Sequence, residues 1–543
     1  MIPVRNVLLV ITERGMLMRI TRISSMVLLY QMKYRASYIV PCVVGVMAIG
    51  LTVWMWQLKI QLGIHRYFEI DELAYLYWAT HIQMGLKPYI DFLFYPAPGF
   101  FILLVPIVSA FQGIAVFAAS RGAMLVVFAS LSIALMLLFW ELRRSWIAIL
   151  IPLVLVFLPL PSDKFIEIRP DTLAMTLFIF GLWLQMRHMN GKQNTSLVAG
   201  LLYGASVAVS QKMAMTVGIA LLGGVCWTIV QKQSWRMVKG ITSGIGVVGA
   251  GVLFYLFSLG NFPMIWYSLT KFSFEASSLG KIFPIPPQFF FIPNDVVYGT
   301  GGLHIGYIAN LALWIIGLCM AAVRLFSPYA ISGKKGVWQE VTLTLVFYCS
   351  FLLFCYVLPM KHAQYLIPPA IFIVFYAVDG IGEIWRYLKR TIGGHVLFLI
   401  LCSLAFYFFW RGYSLVTMPK LYWTNENDMQ KVKTLWKNIP LTEPIFDMVG
   451  LTMRYPQPYI APVYPIGQMA PVITYRLPPL VASLVSTDTK FIYSGTPERF
   501  STLSNEDQLY IKERFTPVGD NTLWVRNDIV ASRDWLEYDI TGQ

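Results

Sequence analysis

Two acidic stretches and a scatter of cations are the residues of this chain best suited to chemistry. Asp71 and Glu72 adjoin one another, and Glu167-Ile168-Arg169-Pro170-Asp171 forms the second stretch. On a helix beginning near Ile70, Asp71, Tyr75 and Trp78 share one face at i, i+4 and i+7 spacing. A carboxylate among aromatic side chains in a partly dry site can serve as a general base. The plainer use of Asp71–Glu72 is an acidic first turn that complements the helix dipole. Asp171 has a plainer use too, as N-cap of an apolar helix running to Arg187 with Pro170 stiffening its approach. A catalytic reading of Asp71, Glu72 and Asp171 therefore needs the two stretches to face one cavity.

The cations suit an anionic substrate. Arg66 and Lys87 flank the first stretch, where Glu69 and Asp91 also lie. Gln211-Lys212 and Lys361-His362 stand at the ends of apolar runs. Lys212 and Lys361 taken singly read as snorkelling side chains. Taken with Arg66, Lys87 and Arg169, they would neutralise a lipid phosphate at headgroup depth. His362 suits either a structural hydrogen bond or catalysis. Tyr365 and Pro368-Pro369 then break the helix and shape a groove.

The elements that must position these groups are membrane helices. Hydrophobic residues make up 57% of the 543, charged residues only 13%, and mean hydropathy is +0.62. A soluble domain is about 25% charged. All six cysteines fall in apolar stretches, against a disulfide framework. No C-x-x-C or H-E-x-x-H spacing signals a metal. The net charge of +14 is concentrated: residues 1–36 carry +5, and the short loops 141–145, 187–194, 231–240, 324–336 and 383–390 bring the sum to +16, so the remainder is −2. Basic short loops are an orientation signal rather than a nucleic-acid surface.

From these patterns we expect a basic amphipathic segment over 1–36 on the cytoplasmic face. A first span follows at Tyr38–Leu58, with Arg66–Pro98 outside. Gly99–Phe117, broken by Pro106 and Gly113, is placed along the surface, which brings every basic loop to the cytoplasm. Further spans are expected near 120–140, 147–161, 171–187, 195–210, 213–230, 241–260, 303–323, 339–358, 363–382 and 393–412, about eleven in all. The outer loops are then 60–119, 162–170, 210–212, 261–302 and 359–362. Loop 261–302 contains FPIPPQFFFIP, too proline-rich for regular structure. The Gly240–Gly251 stretch, with Gly244, Gly246 and Gly249, reads as a packing face. Residues 413–543 have an ordinary soluble composition and predict a small extracytoplasmic α/β domain. Its helices fall at Asp428–Lys437 and Glu506–Arg514, its strands at Pro444–Val449 and Asn521–Arg526.

Over residues 38–412 these features resemble the GT-C glycosyltransferases. The resemblance lies in Asp71-Glu72 followed by Tyr75, then Pro88-Tyr89-x-Asp91-Phe92 and Tyr95-Pro96-x-Pro98-Gly99, then Arg169-Pro170-Asp171, Gln211-Lys212 and Tyr365-Leu366-x-Pro368. It implies a polytopic enzyme of a bacterial inner (plasma) membrane, with residues 37–412 as catalytic domain. Such an enzyme makes an inverting transfer from a polyprenyl-phosphate sugar to a lipid, glycan or protein acceptor. Asp71 would deprotonate the acceptor and Asp171 position it. Lys212, Arg169, Lys361 and His362 would meet the charge of the departing phosphate. Arg66, Tyr75, Lys87, Asp91, Tyr95, Gln211 and Tyr365 would complete the substrate surface. A monophosphate leaving group calls for no cofactor or divalent metal. Two positions depart from the family pattern, Ala74 where an Arg is common and Tyr95 where a phosphate-binding Lys is common. The donor phosphate must therefore be held differently.

A lipid or glycan transporter or flippase would place its ionisable groups or broken helices at the membrane midplane, whereas here they stand at span ends. An O-antigen polymerase or ligase would instead rely on large outer loops rich in Arg and His, with no acidic pair in the first. A receptor or assembly subunit with a decayed site would keep the fold without the activity.

Overall fold

The structure, a computed structural model, describes residues 38–532 apart from 159, 162, 192–194, 279–284, 293–304, 327, 359–360 and 462–471. The basic segment expected over 1–36 lies outside the described residues. α1 (Tyr38–His65) leads into two shorter helices, α2 (Ile70–Gln83) and α3 (Gly99–Ala110). Next come α4 (Ala115–Arg143), α5 (Leu150–Phe157), α6 (Pro170–Met189), α7 (Ser196–Val209), α8 (Met213–Val230) and α9 (Arg236–Leu259). Four more long helices follow, α10 (Ile305–Phe326), α11 (Pro328–Leu352), α12 (Ile367–Leu388) and α13 (Ile392–Val416).

Among the described residues, eight helical stretches are long and apolar enough to cross a bilayer: α1, α4, α8, α9, α13, Ile308–Phe326, Gly336–Val357 and Ala363–Leu388. The chain is an integral membrane protein. The other three expected spans are helices as well, but α5 and α7 have 8 and 14 residues. A span needs about 20 residues, so these two do not cross alone. α6 has the length, at 20 residues, but is less apolar. α3, with 12 residues and Pro106 inside it, is also too short to cross.

α12 is the centre of the bundle. Its Ile367-Pro-Pro-Ala-Ile-Phe-Ile-Val-Phe-Tyr-Ala-Val run is apolar on all sides, and from Pro369 to Gly380 every residue is buried. A helix with no polar face suits a core element as well as a lipid-facing one, and here its burial places it in the core. α7 and α9 approach closely through small residues: a Cβ on Gly200 would sit 2.1 Å from the Ile241 carbonyl oxygen, and one on Gly244 2.4 Å from that of Leu197. The expected glycine face is shorter than its sequence, because Gly246, Gly249 and Gly251 meet nothing within 4 Å.

Charge gathers at the two ends of the bundle. At one end, Arg143 meets Glu340 at 2.8 Å and Asp379 at 2.8 Å, and Arg324 reaches Asp379 at 2.7 Å. A cavity of about 590 Å³ opens there, lined by Arg144, Asn190, Arg324 and Arg386, one from each of four of the expected basic loops. Asp71 and Asp171 lie at the other end. α4 carries Arg121, bonded to Glu72, near its start and ends at Arg143, and α6 carries Asp171 in its first turn and is capped by Asn190 at its far end. This cavity is thus remote from the acidic stretches, and its cations are largely matched by its own carboxylates.

The C-terminal domain is a four-stranded sheet in the order β1-β2-β4-β3, with β1 (Ile445–Asp447) parallel to β2 (Phe491–Tyr493). β3 (Phe515–Val518) and β4 (Leu523–Arg526) complete it with antiparallel pairing. The expected helices appear as Glu426–Asn438 and Asn505–Arg514. The sequence reading lacked β2, β3 and the helix Leu480–Ser486. The domain docks on the end of α1 and on the loops after α1 and α2. Tyr67 N–H donates to the Trp423 carbonyl at 2.7 Å, Asn425 N–H to His65 at 2.9 Å and Leu93 N–H to Ile460 at 2.6 Å.

Candidate active site

α2 begins where the sequence places it, and its first turn sorts two adjacent carboxylates into different environments. Successive helical residues point about 100° apart, so Asp71 and Glu72 cannot share a face. Glu72 turns inward and is fully buried. Its oxygens accept from Arg121 Nε at 3.0 Å, Arg121 Nη2 at 2.7 Å, the Ile168 N–H at 3.0 Å and the Glu69 N–H at 3.1 Å. A carboxylate so engaged has nothing left for a substrate. Glu72 is therefore scaffold, which corrects its placement among the catalytic groups. Asp71 turns outward, with 37% of its side chain exposed, and its Oδ2 lies 2.9 Å from Arg169 Nη1.

Arg66 is corrected in the same way. It is buried and bound to Asp163 Oδ2 and to Glu167 Oε1, not open to a phosphate. Asp163 also takes Lys420 of the segment after α13 at 2.6 Å, and Glu167 takes Lys164 at 2.8 Å and Arg169 Nε. Burial alone would raise Glu167, but Arg169, Lys164 and Arg66 hold it well below the ordinary carboxylate range. For Arg169, burial is outweighed by Glu167 and Asp71, and the guanidinium stays charged. The network thus ends on a fixed cation aimed at Asp71. Sequence reasoning missed Arg121, Asp163, Lys164 and Lys420. Only Arg121 left a signal, as a lone cation near the start of an apolar run.

The second stretch closes the same rim. Arg169 is the N-cap of α6, Pro170 its first residue, and Asp171 lies in the first turn rather than at the cap expected for it. Lys212 Nζ is 3.5 Å from Asp171 and 4.3 Å from the centre of the Tyr365 ring. Burial lowers the Lys212 ammonium, but Asp171 and Tyr365 more than offset this, so it stays protonated above the ordinary lysine range. Tyr75 lies in the field of both Asp71 and Asp171, which with burial keep its hydroxyl protonated. Tyr75 packs against Trp78, with ring centres 5.9 Å apart. Tyr95, in the field of Asp71 and Tyr365, stacks on Phe272 at 5.0 Å. Gln211 staples the segment Tyr95–Ala97 to the turn before α8, its Oε1 accepting from the Ala97 N–H at 2.8 Å and its Nε2 donating to the Tyr95 carbonyl at 3.1 Å. Gly99 permits the approach, since a Cβ there would lie 2.5 Å from the Ala208 carbonyl oxygen.

His362 completes the group. Burial lowers it, and the opposing pull of Asp71 is countered by Arg169, Lys164 and Lys212, so its imidazole is neutral at pH 7. Its ring centre is 5.8 Å from that of Tyr365. Three expected members stand elsewhere. Lys87 and Asp91 form an exposed turn in which Asp91 Oδ2 accepts from the Lys87 N–H at 2.6 Å, and the Asp91 carbonyl accepts from Gln457 of the C-terminal domain at 3.2 Å. Lys361 donates to the Leu358 carbonyl at the end of the preceding helix. The segment after α9 opens with helical turns from Phe262 to Ser277 that bring Phe272 onto Tyr95, and the described part of its proline-rich stretch holds one short turn, Pro287–Phe290.

No family model and no curated protein sequence matches the chain. Solved structures do. ArnT from Cupriavidus metallidurans bound to undecaprenyl phosphate matches with a TM-score of 0.56 at 12% identity, over 89% of this chain and 97% of that one. Its apo state matches at 0.53 and 13% identity. The Archaeoglobus fulgidus oligosaccharyltransferase tethered to an acceptor peptide matches at 0.50 and 13% identity, over 88% of this chain and 74% of that one. A polytopic helical body, short helices over one end and a small terminal α/β domain give this chain the fold of these solved structures.

Proposed function

We propose that the protein is an inverting glycosyltransferase that moves a sugar from a polyprenyl-phosphate donor to a lipid, glycan or protein acceptor at the outer face of a bacterial inner membrane. One observation carries the reading: Asp71, paired with Arg169 through one oxygen and more than a third exposed, stands on the same rim as the Lys212–Asp171 pair. The fold supports it, since ArnT binds undecaprenyl phosphate within the same architecture.

The acceptor hydroxyl or amine attacks the anomeric carbon while Asp71 takes its proton. As that bond forms, the bond from the anomeric carbon to the phosphate oxygen breaks. The electron pair leaves with polyprenyl phosphate. Arg169 holds Asp71 Oδ2, which leaves Oδ1 to receive the proton. Lys212, steadied by Asp171 and the Tyr365 ring, meets the phosphate charge, and neutral His362 offers a hydrogen bond beside it. This replaces the lysine absent at Tyr95, a half-buried residue stacked on Phe272. Asp71 and Asp171 are each matched by a cation already, so the rim presents no excess negative charge to draw a divalent ion.

The test is release. Purified protein given a panel of radiolabelled polyprenyl-phosphate sugars is expected to free polyprenyl phosphate from one of them, at an undiminished rate in EDTA. Turnover of none would overturn the donor class, and loss of turnover in EDTA would overturn the metal-free mechanism.

A further inference from the structure

The C-terminal domain lays one unmatched cation against the site. Arg499 follows a sharp turn at Gly495, whose φ is +73° and where a Cβ would collide with Val449 Cγ2 at 2.0 Å. Thr496 then caps the short helical turn Pro497–Phe500. The side chain crosses to the facing turn, where Nη1 donates to the Met448 carbonyl at 2.7 Å. That facing turn is rigid, because Asp447 accepts from the N–H groups of Val449 at 2.7 Å and Gly450 at 2.8 Å, and from the Thr452 hydroxyl at 2.7 Å. It also touches α2. Gly450, at φ +95°, packs so closely that a Cβ would lie 2.9 Å from the Leu73 backbone, two residues beyond Asp71.

Among the described residues no carboxylate lies within ion-pair distance of Arg499, and the Met448 carbonyl is the one acceptor its guanidinium meets. Most of its N–H donors are therefore without a protein partner, although the group is partly withdrawn from water and lies in the electrostatic field of Asp71 and Asp447. A guanidinium held in this way is a fork for two oxygens of an anion.

We propose that Arg499 is an acceptor-recognition residue whose guanidinium binds an oxyanion, phosphate or carboxylate, on the molecule whose nucleophile Asp71 activates. This rests on the glycosyltransferase reading for the identity of that molecule. The position explains why the domain is seated on α2 and not merely appended. A substrate anion anchored at Arg499 would hold its nucleophile over the first turn of α2 by contacts remote from the donor phosphate at Lys212. The anion can belong to a membrane lipid or to a water-soluble glycan or peptide.

The test reads Arg499 itself in the full-length protein, in phosphatidylcholine nanodiscs. The rate at which phenylglyoxal modifies Arg499 is followed by peptide mass spectrometry, with chloride as the ionic-strength control. Inorganic phosphate or acetate is expected to slow modification of Arg499 several-fold while leaving Arg454 unaffected. Slowing only when phosphatidylglycerol is included in the disc supports a lipid anion as the source. No slowing with any of the three overturns the proposal and leaves Arg499 a structural tie to Met448. In Asp71→Asn, loss of a neighbouring negative charge is expected to preserve or strengthen the protection, whether or not Asp71 is the base. The two readings therefore fail separately. Protection that persists in an Asp71→Asn protein with full transfer activity would sink the base and spare the anion site.

Discussion

Asp71→Asn is expected to lower the transfer rate by about 10³-fold, within the range that general-base catalysis contributes, while the protein folds and melts as before. The amide is isosteric but cannot accept the acceptor's proton. Stability should be spared because Asp71 is over a third exposed and its partner Arg169 retains Glu167. Initial rates of polyprenyl phosphate release, measured beside a thermal unfolding curve, separate the two effects. A variant with near-normal rates would remove Asp71 from the chemistry. A variant that unfolds would show the Asp71–Arg169 pair to be structural.

The residue next to it should behave in the opposite way. Glu72→Ala leaves Arg121 buried without its carboxylate and strips acceptors from the N–H groups of Ile168 and Glu69. Breaking a buried ion pair from one side costs about 3–5 kcal/mol, enough to consume much of a domain's stability of roughly 5–15 kcal/mol. The expected result is poor recovery of folded protein and a lowered melting temperature. Residual activity should scale with the folded fraction. Glu72→Gln, which keeps the shape and some acceptor capacity, should fall between. Full stability with abolished turnover in Glu72→Ala would return Glu72 to the catalytic group.

This contrast marks what the sequence could and could not convey. That Asp71, Asp171, Lys212 and Tyr365 lie at the starts of helices was legible from the residues around them, although each also has a plainer use there. Which member of Asp71–Glu72 faces the site was not legible, because the answer depends on Arg121 and Ile168, remote in sequence. Arg66 was misread for the same reason, since its partners Asp163 and Glu167 meet it only after α4 and α5 have folded back. Lys87 and Asp91 looked like site charges beside Pro88 but close their own turn. The long helices were visible in hydropathy, whereas β2 and β3, of three and four residues, carry too little pattern to detect. Arg499 left no mark at all. It lies in a polar stretch where a cation is ordinary, and it matters only because Gly450 lets that domain rest on α2.

The central claim is a single displacement in which Asp71 acts as base and never as nucleophile. It is tested most directly by the anomeric configuration of the product, read by proton NMR with the donor that the release assay identifies. The proposed mechanism predicts a product whose configuration is opposite to that of the donor, formed with no sugar attached to Asp71. A product of retained configuration, or a glycosyl adduct on Asp71, would contradict it.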